Sequence, residues 1–109
     1  MKEITSEALR ALMDEPGAPS FRLIDVREQD EFDLCKLEQA ELIPLSSFAE
    51  TALPRLTGEK RPIILYCHHG MRSGNATQWL MQKGFENVIN LTGGIDAWAL
   101  TVEPTMTRY

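Results

Sequence analysis

Apolar and polar positions alternate between two rhythms along this chain. Ile63-Ile64-Leu65-Tyr66 is a short continuous apolar run, the pattern of a strand buried on both faces, and it stops abruptly at Cys67. Phe21-Arg22-Leu23-Ile24-Asp25, Glu41-Leu42-Ile43 (stopped by Pro44) and Val88-Ile89-Asn90-Leu91 are further strand-like runs, and Glu3-Ile4 predicts a short first strand. Between them the period lengthens to that of a helix. Ala8, Leu9, Leu12 and Met13 share one face, as do Phe32 and Cys35 within Glu28 to Cys35. Phe48, Ala52 and Leu53 face inward on a third helix with Pro54 near its end, and Ala76, Trp79 and Leu80 form a stripe on a fourth. Ile95, Ala97 and Trp98 fall on a last short helix.

Boundary residues sharpen this picture. Thr5 is placed to cap the first helix, with Glu7 in its first turn, and Pro16-Gly17-Ala18-Pro19 ends that element as a loop. Ser47-Phe48-Ala49-Glu50 has capping-box spacing. Thr57 to Pro62 is a polar turn, Gly84 sits at a helix C-terminal cap, and Gly93-Gly94 turns the chain into its last helix. The segment from Thr101 to Tyr109 is polar and expected to be loosely held. Strands alternating with helices imply an α/β fold with a mainly parallel sheet covered on both faces.

Composition narrows the class. A chain of 109 residues, 43% hydrophobic and 25% charged, is expected to be one soluble domain spanning 1–109, with its motif-bearing core at about 20–100. A net charge of −5 disfavours nucleic acid and anionic membrane surfaces as partners, so a positive site has to be built locally. No apolar run reaches transmembrane length and Met1-Lys2-Glu3 does not open a signal peptide. Two cysteines make no disulfide framework, and a reducing, cytoplasmic setting is expected.

The chemistry concentrates in Cys67-His68-His69-Gly70-Met71-Arg72-Ser73. A strand, a tight loop and a helix N-terminus in that order form an anion cradle, and a cysteine there has its nucleophilic thiolate stabilised. Arg72 adds a permanent charge at a helix start, where the dipole disfavours it unless an anion offsets the cost. Gly70 permits an unusual backbone angle, Met71 walls the pocket, and Ser73 is an N-cap or a donor to the anion. His68 and His69 supply further donors and a pH-dependent charge. Adjacent residues seldom point at one centre and no metal-ligand spacing supports them, so neither a metal nor a cofactor is expected. Asp25, Arg27 and Glu28 form a cluster beside the site, Asp25 and Arg27 supporting it. Cys35, between apolar neighbours, suits inert packing, or a resolving thiol if the fold brings it near Cys67.

Four segments together resemble the single-domain rhodaneses, a family of sulfurtransferases: Asp25-Val26-Arg27-Glu28, Glu31-Phe32 through Ile43-Pro44, Cys67 through Ser73, and Leu91-Thr92-Gly93-Gly94-Ile95-Asp96-Ala97-Trp98. The resemblance implies a parallel five-stranded sheet between helices. It also implies that Cys67 takes a sulfane sulfur as a persulfide, within a cradle of amides from His68 to Ser73 closed by Arg72. The implied partners are a small-molecule sulfur donor and a cyanide or thiol acceptor, including a sulfur-relay protein. The chain departs from the family where Gly-His-Ile and a later Gly-Ala are usual and Cys35-Lys36-Leu37 and Gln39-Ala40 stand instead. Gln29 likewise replaces a proline. A phosphatase of the same fold is one rival, disfavoured because only four residues separate Cys67 from Arg72 and the similar phosphatase loop is longer. A non-catalytic binding or regulatory module is another, disfavoured by retention of the cysteine.

Overall fold

The computed structural model describes residues 1–17 and 19–109; Ala18, in the expected Pro16–Pro19 loop, lies outside them. Five strands, β1 (Lys2–Ile4), β2 (Arg22–Asp25), β3 (Ala40–Leu42), β4 (Ile63–Tyr66) and β5 (Val88–Leu91), form one sheet in the order β1-β5-β4-β2-β3. Every pairing is parallel, and Asp25 stands level with Tyr66 across β2 and β4. All four residues of β4 are buried. Their side chains alternate between two cores, as strand geometry requires. Ile63 and Leu65 join Ile24, Val26, Phe48, Ala52, Ala76 and Leu80 on one face, under α3 (Phe48–Leu56) and α4 (Met71–Gln82). Ile64 and Tyr66 join Leu9, Leu23, Leu91, Ile95 and Trp98 on the other, under α1 (Ser6–Met13) and α5 (Gly94–Thr101). Burying each large side chain contributes about 1.5–3 kcal/mol, so a sheet covered on both faces is the stable arrangement for this apolar pattern.

Thr5 caps α1 as expected, its hydroxyl accepting from the Ala8 amide at 3.1 Å, although Ala8 is exposed and Ser6 is buried in its place. Ser47 forms no capping box. A 3-10 turn at Leu45–Ser47 runs straight into α3, leaving Ser47 at φ −129°, ψ 17° without a side-chain cap bond. The box belongs instead to α2 (Gln29–Leu34), where Glu28 is extended and its amide donates to the Glu31 carboxylate at 3.2 Å. No residue of α2 is buried, so Phe32 is only partly covered, and Leu37 beyond the helix is the core residue of this stretch. Gln39 takes φ 71° at the place where the resemblance expects glycine, so the turn into β3 is left-handed with a side chain in it.

The Thr101–Tyr109 segment is not loose. Met106 packs against the core, the Trp98 indole donates to Glu103 at 3.3 Å, and Arg108 and Tyr109 fold back onto the carboxyl ends of the strands.

Candidate active site

In this strand order the chain runs outward from β2 to β3, then crosses to β4 on the other side of β2. Sites in such sheets form outside the strand carboxyl ends at that reversal. Asp25 and Arg27 leave β2 there, and Cys67 leaves β4.

The Cys67 sulfur accepts two hydrogen bonds, from the Gly70 amide at 3.1 Å and the Ser73 amide at 3.3 Å, with the Ser73 hydroxyl oxygen 3.4 Å away. Gly70 makes the geometry available. Its φ of 105° folds the loop back on itself, and a Cβ there would press on the Gly93 amide at 3.3 Å. Gly70 is also the N-cap of α4, so Ser73 lies inside the first turn and is a donor rather than the cap. The amides of Met71 and Arg72 have no protein partner among the described residues. They remain as helix N-terminal donors.

The loop is held from three sides. From α5, the Ile95 amide donates to the Cys67 carbonyl at 2.9 Å and the Asp96 amide to the His68 carbonyl at 3.0 Å. Orphan donors of one helix thus bind carbonyls of the loop. From β5, Asn90 is 3% exposed, accepts from the Ser73 hydroxyl at 2.6 Å and donates to the Gly70 carbonyl at 3.2 Å. From α2, Glu31 takes the Arg72 guanidinium in a two-point pair at 2.8 and 2.9 Å. Arg72 is therefore turned to Glu31 rather than hydrogen-bonded to the sulfur. That bond raises the Arg72 pKa, with the Cys67 charge adding to it, and holds the Glu31 carboxyl down at about 2.

Asp25 and Arg27 are wholly buried and paired at 2.6 Å. Burial opposes the Arg27 charge, but the hydrogen bonds it donates to Asp25 and Tyr109 more than offset it and raise its pKa. The guanidinium also donates to the Glu31 carbonyl at 3.2 Å and the Cys35 carbonyl at 2.6 Å, closing the C-terminal turn of α2. The pair thus fixes the element that carries Glu31. Cys35 packs with the core on the face opposite Cys67.

Neither imidazole hydrogen-bonds the sulfur among the described residues. His68 stacks on the Tyr109 ring at 3.9 Å and 7°, its pKa lowered by burial and by its neighbour His69. His69 is largely exposed, 3.8 Å from Asp96, and Met71 is 79% exposed.

The chain matches the rhodanese-like domain over residues 5–101. It belongs to that family. The thiosulfate sulfurtransferase GlpE of Haemophilus influenzae is 31% identical over 108 residues, covering 99% of this chain and 97% of that one. The probable adenylyltransferase/sulfurtransferase MoeZ of Mycobacterium tuberculosis is 36% identical over 107 residues, covering 97% of this chain. This chain spans only 26% of the length of MoeZ. A rhodanese-related protein of Thermoplasma volcanium has a solved structure that superposes with a TM-score of 0.81 at 25% identity, covering 95% of this chain and 96% of that one.

Within this rhodanese-like domain, sequence reasoning missed Glu31 as the partner of Arg72, Asn90 as an anchor, and Tyr109. Only Asn90 left a local signal, a polar residue inside an apolar strand. It also read Gly94 simply as a turn. Gly94 has φ 61°, and a Cβ there would collide with the carbonyl oxygens of Cys67 and His68, standing 2.7 Å from the His68 carbonyl carbon. Gly94→Ala is expected to cost about 1–3 kcal/mol in urea denaturation. By shifting the loop it should also lower sulfur transfer by about 10²-fold. Unchanged transfer would show that the loop tolerates displacement.

Proposed function

We propose that this rhodanese-like domain is a sulfurtransferase in which Cys67 carries the sulfur. The observation that carries the reading is the Cys67 sulfur itself, which accepts from the Gly70 and Ser73 amides at a helix N-terminus, a setting that favours a thiolate. In the first half-reaction the thiolate attacks the sulfane sulfur of a thiosulfate-type donor. The donor's S–S bond breaks, its electron pair leaves with sulfite, and Cys67 holds a persulfide. In the second, cyanide or a thiol attacks the outer sulfur, and the electron pair of the persulfide bond returns to Cys67. The unpartnered Met71 and Arg72 amides suit the outer sulfur's negative charge, with Arg72 adding long-range positive charge. His68, His69 and Met71 border the opening, and Asp25 and Arg27 support the loop through α2.

The name of the H. influenzae relative supports thiosulfate as donor, and that of the mycobacterial relative supports a sulfurtransferase role within a longer protein. A cytoplasmic setting and a protein thiol as acceptor belong to the same proposal. No helix is long and apolar enough to cross a membrane among the described residues.

Intact mass after incubation with thiosulfate tests this. The expected result is the gain of one sulfur atom, reversed by cyanide with release of thiocyanate. No added sulfur, with phosphate released from an aryl phosphate, would overturn the proposal in favour of a phosphatase. Neither change would leave a binding module.

A further inference from the structure

Cys67 is 1% exposed although its loop lies at the surface. Tyr109, distant in sequence, packs on one end of this loop and reaches the residues beside it. Its ring stacks face to face on His68, the neighbour of Cys67. Its hydroxyl donates to Glu31 at 2.7 Å, on the carboxylate that holds Arg72, and accepts from Arg27 at 2.9 Å. The side chain therefore reaches from one flank of the cradle to the other. Two further contacts seat it. Arg108 donates to Asp96 at 3.1 Å, and the crevice beneath, between the tail and His68, Ile95, Asp96 and Ala99, is too narrow for a water molecule.

Tyr109 itself is 42% exposed and no part of its hold is apolar burial on the scale of a core residue. Its fixings are one stack, worth about 0.5–1.5 kcal/mol, a guanidinium–ring contact with Arg27 at 5.8 Å, and two hydrogen bonds, one part-buried from Arg27 and one exposed to Glu31. Contacts of that size hold a cover closed most of the time and let it open on a fast timescale.

Resting on the reading of Cys67 as the reactive sulfur, we propose that Tyr109 is a specificity-determining cover of the cradle. It admits reagents as small as an inorganic sulfur anion and holds back bulky thiol-borne persulfides until the ring leaves His68. A bulky reagent meets only the open fraction of molecules, so its apparent rate is scaled by that fraction, whereas a small one is scaled much less.

The test reads accessibility of the thiol, independently of sulfur transfer. Cys67 alkylation by iodoacetamide and by a pyrene-bearing maleimide is followed by intact mass on the whole chain, in a Cys35→Ser background. Tyr109, Tyr109→Phe and Tyr109→Ala forms are compared. If the cover is open about a tenth of the time, Tyr109→Ala should speed the maleimide about tenfold and iodoacetamide far less. Tyr109→Phe, which keeps the stack and loses both hydrogen bonds, should fall between. Turnover of glutathione persulfide should rise in step with the maleimide rate, and its ratio to turnover of thiosulfate should rise with it. Equal acceleration of both alkylating reagents would mean general loosening, and no acceleration would mean an uncovered cradle; either overturns the proposal. Failure of the unaltered chain to take sulfur from thiosulfate would instead strike at the function, leaving the ratio of alkylation rates to judge the cover.

Discussion

Cys67→Ser is expected to abolish sulfur uptake from thiosulfate and to reduce thiocyanate formation to background, a loss of about 10³-fold or more. The serine hydroxyl keeps an acceptor for the Gly70 and Ser73 amides. What it loses is the chemistry. An alcohol is a far weaker nucleophile toward sulfur than a thiolate, and oxygen cannot hold a transferable sulfane sulfur. The fold should survive, because the replacement is slightly smaller and leaves no buried donor unpaired, so the cost should be about 1 kcal/mol. The comparison is of intact mass and thiocyanate release, with a urea titration of both proteins. Residual turnover above background in a properly folded serine variant would remove Cys67 from the centre of the mechanism.

Asp25→Ala should be the most destabilising single change near the site. Removing one partner of a wholly buried ion pair leaves the other charge uncompensated, at a cost of about 3–5 kcal/mol. That is a large share of the roughly 5–15 kcal/mol that holds a small domain together. Arg27 has no substitute at hand, because the Glu31 carboxylate is already committed to Arg72 and to Tyr109. Arg27 also binds the carbonyls of Glu31 and Cys35, so its release would free α2 and, with it, the hold on Arg72. Urea denaturation should show the midpoint fall by at least about 1 M. Asp25→Asn, which keeps an acceptor and removes the charge, should cost less. A change under about 1 kcal/mol for Asp25→Ala would mean that the pair adds little to folding.

Where burial forces a period, the chain was legible. Ile63-Ile64-Leu65-Tyr66 predicted a strand covered on both faces and is one, and the break at Cys67 marked the loop that turns into α4. Contacts between distant residues left no such trace. Tyr109 meets Glu31 and Arg27 across separations of 78 and 82 residues, so a polar, apolar-poor tail gave no local sign of being tied down. The capping box failed for a different reason. Ser47 and Glu50 have the right spacing, but the 3-10 turn after Pro44 denies Ser47 the extended backbone a cap needs, whereas Glu28 has it at φ −87°, ψ 167°. Gln39 shows the converse: a residue with a side chain takes a left-handed turn that its identity did not announce.

The docking of α5 onto the loop carbonyls has an evolutionary consequence. Because Ile95 and Asp96 bind those carbonyls through their own amides, and the Gly70 and Ser73 amides donate to the sulfur, the hydrogen bonds that shape the reactive centre are main chain, and main chain is the same whatever side chains are inherited. Mutations at 68, 69 and 71 can therefore accumulate without rebuilding the reactive centre. A lineage can drift toward new reagents by changing the rim, whereas a side chain at Gly70 or Gly94 would strain a positive φ and press on neighbouring backbone.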